Sequence, residues 1–328
     1  MANPDHAAHV EAFRVESARD VPPPSPGAID VALLDMNCGY ANVGHDAIVA
    51  VVLDCAGELA ADLERSGRRV RVFSYAVRDK HMLPEHGAGR HALYIGTGGP
   101  GHLDPRRNER VRGAEEIYED PAWEEPLWRL FDEIYADPQA ALYGVCHTFG
   151  LLCRWSGLAE PALRGPQKGG AMSGVGTNVL TPEALAHPWF ARLAPLAANG
   201  GVPVLDSRHY DLLPSGHSRA GATAIAFESS PSSEGPGEAL TMLEIARDSD
   251  GMPRMFAVNS HPEIGAHERV EELLQRLLAG GSIDRETFEQ RSAILPVLRD
   301  DRREARLRVG RAVFVDLVQE RLARLARA

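Results

Sequence analysis

Short apolar runs recur along the first half of the chain, and each ends in glycine or a polar residue. IDVALLDMN (29–37), RRVRVFSYAV (68–77), HALYIG (91–96) and AALYGV (140–145) are largely apolar, the pattern of strands buried on both faces of a parallel sheet. Between them the period becomes helical: from Asn42 to about Arg65, in AWEEPLWRLFDEIYA (122–136), and from HTFGLLCRWSGL (147–158) onward. Strand, helix, strand, with glycine-rich loops at strand ends, predicts an α/β fold. Its centre is a doubly wound, mostly parallel sheet flanked by helices on both faces.

After about residue 165 the pattern shifts. VPVLDS, ATAIAFESS, ALTMLEIAR and RMFAVNS read as short strands that extend or cover the main sheet, and PSSEGPG reads as a hairpin loop. Residues 1–27 end in VPPPSPG, stiff and unable to pair in a sheet, so a flexible N-terminal arm is expected there. The main domain is expected over 28–265 and a helical C-terminal extension over 266–328. The last helix repeats an apolar stripe through Val313, Phe314, Leu317, Leu322 and Leu325. Packing on the domain is the expected use of that stripe, with an oligomer or partner surface as the alternative.

Composition narrows the class. With 328 residues, 44% hydrophobic and 25% charged, the chain can bury a sizeable core. A net charge of −11 argues against nucleic acid and membrane surfaces as partners. Cys38, Cys55, Cys146 and Cys153 form neither a CxxC pair nor a disulfide framework, which fits a reducing cytoplasm. No apolar run nears the roughly 20 residues of a membrane span, and the first residues lack the order of a secretory signal. His81, His86 and His91 suit neither one helix face nor a zinc pattern. SGVGTNVL lacks the lysine and the strand-to-helix setting of a phosphate loop. No metal or cofactor is expected. Asp54 and the acidic group Glu115, Glu116 and Glu119 read as solvated faces.

Three stretches carry chemistry. YGVCHTFGLL (143–152) sets Cys146 between a strand and a helix start. There the helix N-terminus favours a thiolate, and the next backbone N–H is free to meet an oxyanion. Gly144 and Thr148 are small enough for so crowded a turn. TGGPGHLD (97–104) follows another strand, where a ligand crevice forms in open α/β sheets. VNSHPEIG (258–265) places His261 and Glu263 two apart beyond a strand end, so the carboxylate can hold the imidazole and turn its other nitrogen to a thiol. Each stretch is weak evidence alone; the three in this order, all at strand ends, reinforce one another.

In that order the stretches resemble the class I glutamine amidotransferases, the cysteine–histidine–glutamate family. The matching positions are Gly98-Gly99-Pro100-Gly101, Gly144-Val145-Cys146 and His261-Pro262-Glu263, with LLDMNCGYAN (33–42) similar to the family's first strand and loop. The resemblance implies flavodoxin-like layering and assigns roles. Cys146 would attack a carboxamide, His261 would move its protons, and Glu263 would orient the imidazole. The N–H groups of Gly99 and His147 would form the oxyanion hole. Gly98, Gly101, Gly150, Arg208 and His209 would line the substrate site, the last two from DSRHYDLLP (206–214), where Asp206 also stands. The implied donor is L-glutamine, and the ammonia would go to a synthetase or acceptor protein in trans, with the helical tail as its dock. The pattern breaks after the nucleophile. The family's GxCxGHQ reads here as Gly144-Val145-Cys146-His147-Thr148-Phe149-Gly150, so the glutamine pocket is altered. A hydrolase or acyltransferase on another amide or ester, or a non-catalytic relative, are the competing readings.

Overall fold

The computed structural model describes residues 10–40, 42–87, 90–110, 117–164, 172–196, 201–219, 221–229, 236–265, 267–281, 283–293 and 295–328. The apolar runs of the first half become strands as expected. β1 (Val10–Val15), β2 (Ala28–Asp35), β3 (Arg69–Ala76), β4 (His91–Gly96) and β5 (Ala141–Val145) lie in the order β1-β3-β2-β4-β5, all parallel. The second half supplies β6 (Ala159–Leu163), β7 (Met172–Leu180), β8 (Gly201–Arg208), β9 (Tyr210–Pro214), β10 (Thr223–Ser229), β11 (Pro236–Arg247) and β12 (Pro253–Val258). β12 returns to pair in parallel with β5. Beyond it the sheet continues antiparallel through β11, β10, β7 and β8, with β9 joined to β11 and β6 to β9.

Alternation along the strands feeds two cores. Val31 and Leu33 of β2 face one side, where they join Ile48, Val51 and Val52 of α1 (Val43–Glu58). Ala32 and Leu34 face the other. The helical stretch expected from Asn42 to Arg65 is two helices, α1 and then α2 (Ala60–Ser66), followed after β3 by the single turn α3 (Val77–Lys80). α4 (Glu124–Ala136) lays Leu127, Leu130, Phe131 and Ile134 against the second core, and α5 (His147–Ser156) buries Phe149, Leu151, Leu152 and Cys153 there. α6 (Pro182–Ala186) is a short connection capped by the Thr181 hydroxyl.

The expectation of a flexible N-terminal arm is corrected. Residues 10–15 are not a flexible arm but an edge strand, with Phe13 stacked on Phe73 at 5.1 Å and Val15 fully buried. The proline stretch is the connection from β1 to β2, and it is tied down: Pro22 and Pro23 carbonyls accept from Arg90 and Arg71. A proline run cannot join a ladder, yet it does not prevent the residues before it from doing so. Residues 1–9 lie outside the described residues, as does most of the expected hairpin loop, although β10 and β11 on either side of it do pair antiparallel.

The extension comprises α7 (His267–Ala279), α8 (Arg285–Ser292), α9 (Leu295–Leu298) and α10 (Asp301–Arg327). The first three share a small core of Val270, Leu273, Leu274, Leu295 and Leu298, closed onto α1 through Val43. α10 is different. Its Val313, Phe314, Leu317 and Leu322 are buried in the first sheet core, with Leu325 packed at its margin, and Phe314 meets Tyr143 edge-on at 6.4 Å. That stripe is spent inside the molecule and is not the oligomer or docking face that was the alternative.

Phe314→Ala is expected to cost about 3–5 kcal/mol, the usual loss for truncating a fully buried aromatic side chain, measured by denaturant unfolding. A loss under about 1 kcal/mol would mean that the tail is not part of the core.

Candidate active site

Cys146 stands where β5 ends and α5 begins. Its backbone takes φ 48° and ψ −98°, a positive φ that costs a non-glycine residue about 1–3 kcal/mol. Its neighbours make the turn feasible. A Cβ on Gly144 would lie 2.9 Å from Thr148 Cγ2, and one on Gly96 of β4 would lie 2.3 Å from the same atom. Thr148, in place of the family's glycine, therefore occupies space that two glycines leave open, and its hydroxyl donates to the Thr97 carbonyl at 2.8 Å. The side chain of Cys146 is half-buried, with its sulfur 3.9 Å from the Ser207 carbonyl. Cys153, one helix turn and more beyond, is fully buried, and burial drives its thiol well above the ordinary range.

The glycine loop is pinned by a buried ion pair that the sequence reading missed. Arg78 binds both carboxylate oxygens of Glu119, at 2.6 and 2.8 Å, and the two side chains are almost wholly sealed from solvent. The same guanidinium donates to the carbonyls of Met36 and Pro100, which joins the loop after β2 to the loop after β4. Glu119 also accepts from Asn108 and Trp123. The expectation of a solvated face is thus wrong for Glu119; Glu115 and Glu116 lie outside the described residues. Gly99 sits so close that a Cβ there would be 2.1 Å from the Met36 carbonyl oxygen. Glycine is the one residue this contact admits.

His261 follows β12, whose Val258 is in register with Val145 of β5. The Cys146 amide donates to the Val258 carbonyl at 2.8 Å, and the His261 amide to the Leu205 carbonyl at 2.8 Å. His261 Nδ1 donates to Glu263 Oε1 at 2.8 Å, which leaves Nε2 free on the ring that stands beside Cys146. Gly98 lies over both: a Cβ there would be 3.3 Å from His261 Cε1 and 3.9 Å from Cys146 Sγ. Burial pulls the imidazole pKa down, but the Glu263 carboxylate and the Cys146 sulfur outweigh it, and the ring is held well above its ordinary value. The sulfur and the imidazole–carboxylate pair, far apart in sequence, meet at one rim of the sheet.

A cavity of about 90 Å³ opens beside the sulfur, and Gly99, Gly101, Cys146, His147, Arg208 and His209 all line it. Gly150 does not. A Cβ at that position would lie 2.3 Å from Leu103 Cδ1, so the leucine fills the space into which a side chain would project. Arg208 is buried and committed to Asp206, Asp211 and Glu228. His209 is exposed at the rim. Leu103, Tyr210 and Asn259 complete the wall and were not foreseen; Asn259 was legible as the strand-end residue just before the HPE motif. His147 is sealed, burial lowers its pKa well below the ordinary value, and its Nε2 is buried without a hydrogen-bond partner. His86 and His91 each meet a tyrosine hydroxyl, Tyr94 and Tyr75, at 2.8 and 3.0 Å. No His, Cys, Asp and Glu cluster able to hold a metal is found among the described residues. No helix of the described residues is long and apolar enough to cross a membrane.

This architecture has known counterparts. A glutamine amidotransferase from Thermotoga maritima superposes with a TM-score of 0.50 at 14% identity, over 92% of this chain and 99% of that one. A glutamine amidotransferase from Methylobacillus flagellatus gives 0.50 at 13%, over 90% and 94%. The chain has the class I glutamine amidotransferase fold. No protein-family model and no curated protein matches it.

Two outcomes test the geometry. In an NMR titration, His261 is expected to keep its proton above the ordinary histidine midpoint of about 6.5, and both Glu263→Gln and Cys146→Ala to bring that midpoint down. The raised value makes the imidazolium a stabilising element. Its contribution is complete below the unfolded value and is lost as pH climbs through the higher folded one. An unmoved midpoint in Glu263→Gln would break the pairing. Separately, Arg78→Met strands a buried carboxylate and is expected to cost about 3–5 kcal/mol in denaturant unfolding. Adding Glu119→Gln should recover part of that loss, because the amide needs no counter-charge; no recovery would remove the ion pair's role.

Proposed function

We propose that the chain is a cysteine-dependent amidotransferase-type enzyme that releases ammonia from a small carboxamide, with L-glutamine as the first candidate donor. Cys146 Sγ attacks the amide carbon with its proton already resting on His261, whose raised pKa holds the imidazolium until the leaving group needs it. The oxyanion that forms is met by the Gly99 and His147 N–H groups, the latter being the first amide of α5, without an acceptor inside its own helix. Each such donor is commonly worth about 3 kcal/mol in barrier height. His261 then protonates the departing ammonia, leaving a thioester on Cys146 that water resolves. The observation that supports the reading is the grouping of Cys146, which lines the cavity, with His261 beside it and Glu263 hydrogen-bonded to that ring. Glu263 fixes the tautomer that this proton traffic requires.

A second reading keeps the chemistry and changes the donor. Leu103 fills the space beside Gly150, so the group that binds the amino-acid end of glutamine in the family has no counterpart there, which favours a hydrolase or acyltransferase on a different amide. Under either reading the ammonia or acyl acceptor, a synthetase or another partner in trans, belongs to the proposal, as does a cytoplasmic setting.

Exposure to a glutamine-mimicking diazo-ketone is expected to leave one adduct, on Cys146, by peptide mass spectrometry. Ammonia release from glutamine should fall at least about 10³-fold in Cys146→Ala, as for loss of a nucleophile. Iodoacetamide should label Cys146 far faster than Cys153. Equal labelling of the two would remove every enzymatic reading; selective labelling without a diazo-ketone adduct would move the donor away from glutamine.

A further inference from the structure

We propose that the chain carries its own acceptor site, a second cavity behind His261 that holds an aliphatic primary amine and delivers it to the acyl group on Cys146. The inference rests on the thioester proposed above. This second cavity measures about 600 Å³, against about 90 Å³ for the one beside the sulfur. Ser207 belongs to both walls, Cys146 to the first and His261 to the second. The catalytic pair therefore stands between two chambers, with the Ser207 carbonyl only 3.9 Å from the sulfur.

The chemistry of the second wall selects the ligand. Val43, Leu205, Ile264, Val270 and Leu274 supply an apolar lining suited to a hydrocarbon body. Asp206 supplies the polar end. It is 3% exposed, its Oδ2 binds Arg208, and its Oδ1 has no partner in the protein. A buried carboxylate oxygen left unbonded is costly, and an ammonium or amine N–H placed there would satisfy it. The local charge agrees: Arg164 and Arg208 face three carboxylates, Asp206, Asp211 and Glu228. Arg291, on the far wall, is already engaged. Val270, Leu274, Arg291 and Ala293 come from the C-terminal helical extension, which thus supplies one wall of the chamber.

The transfer balances. The bound ammonium gives one proton to solvent, and the free amine nitrogen attacks the thioester carbonyl to form a C–N bond. The C–S bond breaks with its electron pair returning to sulfur, and the second N–H proton passes through His261 to Sγ. Over both halves of the reaction, a carboxamide and an amine become an N-substituted amide and ammonia.

The test supplies glutamine with n-butylamine and reads the ratio of N-butyl amide to ammonia by mass spectrometry and ammonia assay. The ratio is used because it does not depend on how far a variant slows the first step. The wild-type protein is expected to form the amide, and the ratio is expected to fall at least fivefold in Ala293→Trp and Val270→Phe, which fill the chamber. Unchanged ratios in both variants would mean attack from bulk solvent and overturn the proposal, as would glutamate and ammonia formed with no amide. If neither glutamate nor ammonia appears, the donor reading fails, and calorimetric titration of Cys146→Ala with butylamine decides the cavity alone. Binding that is lost in the Val270→Phe background supports it, and absence of binding overturns it.

Discussion

The parallel pairing of β5 with β12 is the constraint on which the site depends. Val145 and Val258 are in register, and the amide of Cys146 continues the ladder by donating to the Val258 carbonyl. That one hydrogen bond fixes how far the strand leading to Cys146 reaches relative to the strand that leads to Asn259 and His261. A slip of one residue would turn every side chain to the opposite face, and it would also withdraw the imidazole from the sulfur. Both strands are fully buried, so slippage would bring apolar side chains into water. The hydrophobic cores on the two faces thus hold the sulfur and the imidazole in place relative to each other.

Around that register the structure brings backbones together more tightly than side chains allow. Gly96, Gly99 and Gly144 each stand where a Cβ would enter a neighbour's van der Waals radius, and together they let the loops after β2 and β4 close over the turn at Cys146. Closing them leaves carbonyls without ladder partners, and Arg78 meets that need for Met36 and Pro100. A buried guanidinium requires a carboxylate, which Glu119 supplies. The ion pair is a consequence of packing loops at a strand end, since buried pairs seldom add net stability. What it adds here is a fixed position for Gly99, the residue whose amide faces the reacting atoms in the proposed mechanism.

The legible part of the sequence was the part governed by local pattern. Continuous apolar runs identified β2 to β5 and β12, because a strand buried on two faces has no polar alternation to confuse it. The residues at strand ends followed, since polar and glycine residues just beyond such a run have few other reasons to be there. Partnerships between distant residues were not legible. Glu119 looked solvated because it lies in an acidic stretch, and nothing local announces that Arg78 will bury it. β1 was hidden by the proline run after it. The apolar stripe of α10 was visible, but an amphipathic face does not say whether its partner is the same chain or another one. Phe314 against Tyr143 answers that for this molecule. Gly150 was read by analogy as a substrate contact, and only packing reveals that Leu103 has taken its space.

The C-terminal helices change what the fold encloses. Val270 and Leu274 of α7 and Arg291 of α8 line the larger cavity together with Leu205 and Asp206 of β8. With α7 and α8 in place, that carboxylate is dehydrated while one oxygen has no protein partner, and burial raises its pKa against the opposing pull of Arg208. Folding tolerates such a group when something recovers the cost, either elsewhere in the fold or in a bound ligand. Arg208 meets one oxygen. The extension thus helps wall a space beside His261 that holds one unsatisfied acceptor, where a ligand bearing an N–H would gain most.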